Sequence, residues 1–313
     1  MPEESQVPSA PADAIAQSWV ESAPDKWRPY LRLARLDRPI GTWLLFWPCV
    51  FGLALGSHHR FLAHKWDWFM VLLFGIGAVV MRGAGCTYND IVDHDIDARV
   101  ARTRGRPIPS GAVNIRHAWF FLAAQCAIGL AILLCMNWYS IILGASSLVL
   151  IAIYPFMKRI TWWPQAWLGL TFNWGALVGY AAMRGYVSPA DLVIYGGCVF
   201  WTLGYDTIYA LQDVEDDALV GVKSTARLFG ARHARTWILF IYFGAFSLIA
   251  ISASVEVRSG FATVLLLPAL AHFVWQAHSL KPASPASCLR LFRTNRDTGA
   301  LIAAALIVAT WTL

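Results

Sequence analysis

Long apolar segments recur along the whole chain, and they limit what it can fold into. A helix needs roughly 20 mostly apolar residues to cross the hydrocarbon core of a bilayer. Only 14% of the residues are charged, against about 25% in an average soluble domain, so the chain lacks the polar surface of a water-soluble protein. We therefore predict an all-α polytopic membrane protein with about nine transmembrane helices in one bundle. The predicted helices cover residues 40–57, 67–87, 117–136, 139–156, 165–183, 190–212, 235–253, 261–279 and 298–313.

The N-terminal part of the chain differs from the rest. Residues 1–25 are polar and acidic and contain no apolar stretch, so we expect a disordered tail there. Between Trp27 and Arg38, bulky apolar residues alternate with arginines, which is typical of a helix that lies at a membrane interface. We predict that residues 26–313 form a single transmembrane domain.

Positive charge is distributed unevenly between the loops. Most of the 25 Lys and Arg residues lie in the N-terminal segment or follow the even-numbered predicted helices. Such residues favour the cytoplasmic side of a membrane, so we expect the N-terminus and those loops in the cytoplasm. The first 25 residues have neither the apolar core of a signal peptide nor the arginines of a transit peptide. We therefore expect a multi-pass protein of the cell inner (cytoplasmic) membrane.

Acidic residues are scarce, and they cluster at the ends of two predicted helices. Asn89, Asp90, Asp93 and Asp97 follow the second helix, and we call them the first motif. Side chains four residues apart lie on one face of a helix, so Asn89, Asp93 and Asp97 are expected to point the same way. Like charges at this spacing destabilise a helix, and a compensating cation is therefore expected nearby.

A similar group, Asp213 and Asp217, follows the sixth predicted helix, and we call it the second motif. A third acid, Asp206, lies seven residues before Asp213, which is about two turns deeper on the same helical face. Carboxylate oxygens suit Mg²⁺, which typically binds one or two carboxylates together with phosphate oxygens. The sequence predicts that Mg²⁺ is bound by Asn89, Asp90, Asp93, Asp97, Asp213 and Asp217.

Basic side chains accompany both motifs. They are Arg102, Arg106, Lys158, Arg159 and Lys223. Carboxylates, a divalent metal and basic side chains together are the composition that binds a diphosphate, because the metal links acids to phosphate oxygens while the cations contact the other oxygens. The sequence therefore predicts a diphosphate site.

The two motifs resemble the paired aspartate-rich motifs of the UbiA superfamily of intramembrane aromatic prenyltransferases. The stretches 35–48, 154–159, 204–213 and 223–226 are also similar to that family. The first of these stretches is most similar to the 4-hydroxybenzoate polyprenyltransferases of ubiquinone synthesis. The resemblance extends from about residue 28 to residue 312.

This resemblance implies a UbiA-like helical bundle with a central cavity open to lipid, formed by a transmembrane prenyltransferase domain that needs Mg²⁺. Such an enzyme transfers a polyprenyl chain from polyprenyl diphosphate to the ring carbon of 4-hydroxybenzoate meta to its carboxylate, and releases diphosphate. The implied partners are these two substrates and membrane lipid. No nucleic acid and no obligate protein partner are implied.

The resemblance also implies roles for single residues. Mg²⁺ and the diphosphate are expected to be held by Asn89, Asp93, Asp97, Asp213 and Asp217, and the diphosphate also by Arg102, Arg106 and Lys158. Arg159 and Lys223 are further substrate-binding candidates. Arg38 and Tyr154 are expected near the aromatic acceptor. The residues expected to act in catalysis are Asn89, Asp93, Asp213 and Asp206, of which Asp206 or an acid of the second motif is the candidate acceptor of the ring proton.

Two alternatives stay open at this point. A sister prenyltransferase would use homogentisate, dihydroxynaphthoate, haem or chlorophyllide as its acceptor. A cation-coupled transporter would use the acids as ion sites, but transporters usually place such sites at the bilayer midplane. Here the motifs follow the predicted helices, which disfavours a transporter.

Overall fold

The structure is a computed structural model that describes residues 18–57, 59–98, 103–219 and 221–312, with the side chains of residues 96, 158 and 216 outside that description. Throughout these ranges the regular structure is helical. In chain order the helices are α1 (Arg28–Leu33), α2 (Ile40–Gly56), α3 (Lys65–Val92), α4 (His94–Asp97), α5 (Ile115–Leu133), α6 (Trp138–Ile160), α7 (Pro164–Phe172), α8 (Trp174–Arg184), α9 (Pro189–Ala210), α10 (Val214–Leu219), α11 (Thr225–Glu256), α12 (Phe261–Leu265), α13 (Leu267–Ser279), α14 (Pro285–Arg293) and α15 (Asn295–Thr310).

The prediction of an all-α membrane protein is confirmed. Within the described ranges, four helices are long and apolar enough to cross a membrane, and α2 is a shorter apolar helix. The four are Lys65–Val92, Ile115–Leu133, Trp138–Met157 and Thr225–Glu256. Every apolar segment predicted from the sequence coincides with one helix or with a pair of consecutive helices.

The chain divides into two compact units. The first consists of Met1–Thr42 and Ile76–Ala131, and the second of Trp43–Gly75 and Ile132–Leu313. That residues 26–313 form a single transmembrane domain stays a prediction, since hydropathy marks helices and does not report how they group.

The packed part of the first unit begins earlier than predicted. A 3-10 helix spans Trp19–Ser22, inside the expected disordered tail, and its Val20 is fully buried. Arg32 of α1 donates to both carboxylate oxygens of Glu21 at 2.8 Å. Of that expected tail, residues 1–17 lie outside the described residues.

A small apolar core holds the first unit together next to the first motif. It consists of Leu33, Ile91, Ile108, Val113 and Ala118. Because Ile91 follows Asp90 directly in α3, burial of this side chain also fixes the end of the helix that carries the motif. Thr87, one turn earlier, donates to Gln125 Oε1 at 3.1 Å and so ties α3 to α5.

One predicted helix of the second unit, residues 165–183, is broken into α7 and α8 at Asn173. The side-chain amide of Asn173 donates to Gly169 O, Cys198 O and Thr202 Oγ1 at 2.7–3.1 Å. Irregular backbone inside a membrane protein persists only where other protein groups satisfy its polar atoms. The amide of Asn173 does this, and hydropathy alone does not reveal such a break.

Glycines let α2 and α8 approach closely within the second unit. A Cβ atom at Gly52 would collide with the backbone carbonyl of Ala176, and one at Gly179 would collide with the carbonyl of Cys49. Small residues at such positions let helix backbones pack together in membranes, where the hydrophobic effect gives little attraction between helices. The close approach therefore requires glycine on both helices.

Gly52→Ala is expected to destabilise the protein by about 1–3 kcal/mol, because a backbone carbonyl cannot move aside for the new methyl group. Gly85→Ala, also inside a helix, is the matched control, since nothing lies within 4 Å of its Cβ position. It is expected to stabilise by about 0.5–1 kcal/mol through helix propensity. Thermal unfolding in detergent measures both effects, and equal midpoints for the two variants would contradict the packing argument.

Candidate active site

The first motif begins inside α3, which extends past its predicted end at residue 87. Asn89 and Asp90 occupy the last turn of the helix, and Asp97 ends α4. The backbone N–H of Asp93 donates to Asn89 O at 2.9 Å, and that of Asp97 donates to Asp93 O at 2.8 Å. These bonds maintain the helical spacing across the junction of α3 and α4. Asn89, Asp93 and Asp97 therefore follow one face, as predicted.

In the described part of the chain, two arginines lie beside the first motif as the compensating cations that were expected there. Arg35 Nη2 donates to both carboxylate oxygens of Asp90 at 2.8 Å. Arg106 Nη1 donates to Asp97 Oδ2 at 2.7 Å and to Asp90 Oδ1 at 3.2 Å. Burial opposes the charged form of Arg35, but Asp90 outweighs it together with other nearby groups and raises the pKa of Arg35 above its usual value. Arg102, predicted to contact diphosphate, lies outside the described residues.

The pKa of Asp97 is affected both by its burial and by the charged groups around it. Burial raises the pKa of its carboxyl above the usual value, Arg106 opposes the rise, and Asp90 and Asp93 add to it. Neighbouring carboxylates raise a pKa because each disfavours the other's charge. A cation bound at this point would therefore favour the ionised form of Asp97.

Arg38, the candidate for binding the acceptor, lies just before α2. Its Nη2 donates to Asp37 Oδ2 at 2.9 Å and its Nε to Asp37 Oδ1 at 3.2 Å. The carboxylate of Asp37 is buried. This neighbour holds the Arg38 guanidinium in a fixed position at the start of the helix.

Arg82 is a further cation that sequence reasoning did not assign to the site. It lies inside α3, seven residues before Asn89 and so on the same helical face, and its Nη1 donates to Cys86 Sγ at 2.6 Å. A Cβ atom at Gly41 would collide with its guanidinium, so glycine at the start of α2 leaves the space that Arg82 fills. The sequence did contain a signal for this residue, because Arg82 interrupts an apolar segment and lies two helical turns before Asn89.

The second motif lies at the end of α9 and the start of α10. Asp213 precedes α10 and Asp217 lies within it, and both side chains are half-buried. The Asp217 N–H donates to Asp213 O at 2.8 Å. Asp206 is half-buried inside α9.

One expectation about Asp206 is wrong. The sequence placed it two turns below Asp213 on one helical face, but α9 ends at Ala210. The N–H groups of Leu211 and Gln212 close a tight turn onto Thr207 O and Tyr209 O. The seven-residue spacing therefore crosses the end of a helix, and it does not put the two acids on one face.

The basic residues predicted for the second unit gather at the end of α6. Lys223 Nζ donates to Ile160 O, the last carbonyl of that helix, at 3.1 Å. Arg159 is exposed, with its guanidinium 5.9 Å from the ring centre of Phe156. Tyr154 is half-buried slightly earlier in the helix, and the side chain of Lys158 is not described. Lys223 thus lies at the end of the helix that carries Tyr154, Lys158 and Arg159.

Aromatic rings surround the stretch of α9 that contains Asp206. Tyr205 packs edge-on against Trp201 with ring centres 5.6 Å apart, and Phe292 of α14 lies 4.7 Å from Tyr209 and 5.9 Å from Tyr205. Trp201 and Tyr205 are buried. Such rings exclude water, and their faces attract a cation.

The motif residues have the donor atoms that suit a hard cation. Amide and carboxylate oxygens are what Mg²⁺ prefers, and it usually completes its coordination with water and substrate phosphates. Among the described residues, no three His, Cys, Asp or Glu side chains converge enough to hold a metal by themselves. The amide and carboxylate oxygens of the motifs are nevertheless of the kind that Mg²⁺ prefers.

Comparisons with known proteins agree with the motifs. Residues 45–311 match the UbiA prenyltransferase family. The chain is 46% identical over 296 residues to the 4-hydroxybenzoate polyprenyltransferase, mitochondrial, of Bos taurus, covering 93% of this chain and 78% of that protein. It is 45% identical to the enzyme of the same name from Arabidopsis thaliana, covering 91% and 70%.

Solved structures show the same fold. An apo UbiA homolog from Aeropyrum pernix K1 superposes with a TM-score of 0.68 at 26% identity, covering 85% of this chain and 97% of that one. A UbiA homolog from Archaeoglobus fulgidus bound to GPP and Mg²⁺ gives a TM-score of 0.63 at 18% identity, covering 90% and 98%.

The comparisons correct the expected location. The relatives from Bos taurus and Arabidopsis thaliana are named as mitochondrial enzymes, which contradicts the prediction of a cell inner membrane. The distribution of Lys and Arg orients helices in a membrane, but it does not identify which membrane that is. The charge distribution therefore did not justify the prediction of one particular membrane.

The family match and the fold confirm the resemblance that the two motifs indicated. The match includes both motifs and extends from α2 to α15. The chain belongs to the UbiA prenyltransferase family.

Proposed function

We propose that this chain transfers a polyprenyl chain from polyprenyl diphosphate to the ring carbon of 4-hydroxybenzoate meta to its carboxylate, releasing diphosphate, as a step of ubiquinone biosynthesis. The observation that carries the proposal is identity of 45–48% over at least 90% of the chain with enzymes named for that acceptor and donor. The acids and bases of both motifs supply the matching chemistry, since the leaving group is a diphosphate.

Mg²⁺ is the proposed cofactor, held by the side chains of the two motifs. Their oxygen donors suit it, and a UbiA homolog solved with GPP and Mg²⁺ supports metal dependence in the family. Bound Mg²⁺ supplies positive charge that stabilises the departing diphosphate. The proposed ligands are Asn89, Asp93, Asp97, Asp213 and Asp217.

Residues of the chain itself are proposed to bind the diphosphate, exclude water and accept the ring proton. Arg102, Arg106, Lys158, Arg159 and Lys223 bind diphosphate oxygens. As the allylic C–O bond breaks, the aromatic rings around Asp206 exclude water and attract the developing cation, by about 1–2 kcal/mol for each well-placed ring. The electron-rich acceptor ring then forms the new C–C bond, and Asp206 is the proposed acceptor of the ring proton. Tyr154 lies with the basic residues of α6 and is proposed to contact the acceptor.

The carboxylate of the acceptor needs a cation, and two arginines are proposed for it. Arg38 is held by Asp37 before α2. Arg82 lies inside a membrane-spanning helix, where an arginine is costly and is by default functional. It lies about 10 Å along α3 from Asn89, given 1.5 Å per residue. We propose that Arg82 and Arg38 together bind this carboxylate.

Purified protein incubated with Mg²⁺, 4-hydroxybenzoate and farnesyl diphosphate is expected to form farnesylated 4-hydroxybenzoate, because the donor head and the acceptor carboxylate both have cationic partners. Mass spectrometry of the product measures this. Homogentisate and dihydroxynaphthoate are offered in competition. Consumption of either of them in place of 4-hydroxybenzoate would contradict the proposed acceptor.

Asp93→Asn and Asp213→Asn are each expected to lower turnover by at least about 100-fold, since each removes a ligand that stabilises the leaving group. Asp95→Asn and Glu215→Gln are the matched controls, because both acids are exposed and lie within the same stretches. The controls are expected to retain turnover. Normal turnover by Asp93→Asn or Asp213→Asn, measured at several Mg²⁺ concentrations, would refute the metal assignment.

Arg82→Ala is expected to lower kcat/KM for 4-hydroxybenzoate by about 10–100-fold, because a charged hydrogen-bonding partner of the acceptor is lost. The methyl ester of 4-hydroxybenzoate, which lacks the negative charge, is expected to react almost equally well with the variant and the unmodified protein. Arg38→Ala is measured alongside, and Arg116→Ala, at an exposed arginine, is the control. An equal loss of kcat/KM with the acid and with the ester would show that Arg82 does not bind the acceptor carboxylate.

A further inference from the structure

All three acids of the first motif are buried, and Asp90 pairs with two arginines. Its side chain is completely buried, and both carboxylate oxygens accept hydrogen bonds from arginines. Arg35 Nη2 bridges the two oxygens at 2.8 Å, and Arg106 Nη1 adds a third bond to Oδ1 at 3.2 Å. Three of the roughly four acceptor positions of this carboxylate are thus taken by arginine N–H groups. A metal that displaced Arg35 would leave a buried charge unpaired, which is strongly destabilising.

Burial and backbone conformation both fix the position of Arg35. Its side chain is 8% exposed, and its backbone has φ of 57°, a left-handed conformation that is uncommon for residues other than glycine. Such a conformation persists only when surrounding contacts hold it. The bidentate pair with Asp90 and the bond from Arg35 Nη1 to Arg32 O at 3.2 Å are those contacts.

Arg106 connects Asp90 with Asp97, the last acid of the motif. One nitrogen of its guanidinium lies 3.2 Å from Asp90 and 2.7 Å from Asp97, and the side chain is 20% exposed. Two arginines thus balance two carboxylates. The ion pairs run from Arg35 through Asp90 and Arg106 to Asp97.

We propose that Asp90 is a positioning residue and not a metal ligand: with Arg35 as its buried counter-ion, it holds the Arg106 guanidinium beside Asp97, where Arg106 binds the diphosphate of the donor. This deepens the proposed function and rests on it for the identity of the anion. It replaces the expectation from the sequence that all four residues of the motif bind Mg²⁺.

Equilibrium binding to the full-length protein in detergent separates the two roles. The probe is a farnesyl thiodiphosphate analogue, which resists turnover, titrated calorimetrically with saturating Mg²⁺. Asp90→Asn is expected to raise its Kd by about tenfold, the effect of losing one charged contact. Mn²⁺ binding measured by electron paramagnetic resonance is expected to stay unchanged in Asp90→Asn and to weaken in Asp93→Asn. Weakened Mn²⁺ binding in Asp90→Asn would overturn the proposal.

A double-mutant cycle tests whether Asp90 acts through Arg106. Arg106→Ala is expected to raise the Kd of the analogue, and Asp90→Asn is then expected to add nothing further, because the group that it positions is gone. Arg104→Ala is the matched control, since that arginine is exposed in the same loop. Independent, multiplying effects of the two substitutions would overturn the proposal.

Asp90→Asn leaves the charge of Arg35 uncompensated, so the variant could fail to fold. Arg35→Met combined with Asp90→Asn removes both charges and is expected to restore a monodisperse protein with weak analogue binding and unchanged Mn²⁺ binding. Full analogue affinity in that double variant would overturn the proposal. These readouts need no acceptor, so a failure to prenylate 4-hydroxybenzoate would refute the proposed function without affecting them.

Discussion

A carboxylate buried in a membrane protein needs a positively charged partner, and the first unit is organised around that requirement. Burying an unpaired charge is costly in a medium of low dielectric constant. Asp90 meets the requirement with Arg35 and Arg106, and the pair with Arg35 also fixes an unusual backbone conformation next to Asp37 and Arg38. The same ion pairs therefore hold the motif, the segment that enters α2 and the loop that carries Arg106.

The second unit depends on close backbone contact between helices. Gly52 and Gly179 let α2 and α8 meet, and the amide of Asn173 satisfies carbonyls where α7 gives way to α8. These contacts are polar or steric, since apolar side chains gain little by leaving lipid for one another. Close backbone contact and hydrogen bonds to main-chain carbonyls thus join α2 to α8 and α7 to α9.

Much of this architecture follows from the sequence, because bilayer thickness sets the length of apolar segments and four-residue spacing sets a helical face. The register of Asn89, Asp93 and Asp97 was predictable for that reason. The break at Asn173 and the end of α9 at Ala210 were not, since each depends on hydrogen bonds to groups distant in the chain or on a local turn. Likewise, no spacing rule pairs Arg35 with Asp90, which is 55 residues away.

A sequence motif records which positions carry acids, but not which acids face a ligand. Asp90 and Asp93 are both buried and three residues apart, and both carboxylate oxygens of Asp90 accept hydrogen bonds from arginines. In the proposals made above, the same residue type is a metal ligand at Asp93 and the partner of two arginines at Asp90. A cation held by a buried acid has a fixed position before the substrate arrives, and less ordering is then needed when the diphosphate binds. An acidic motif in a membrane can therefore contribute to anion binding through the arginines that it holds, as well as through metal.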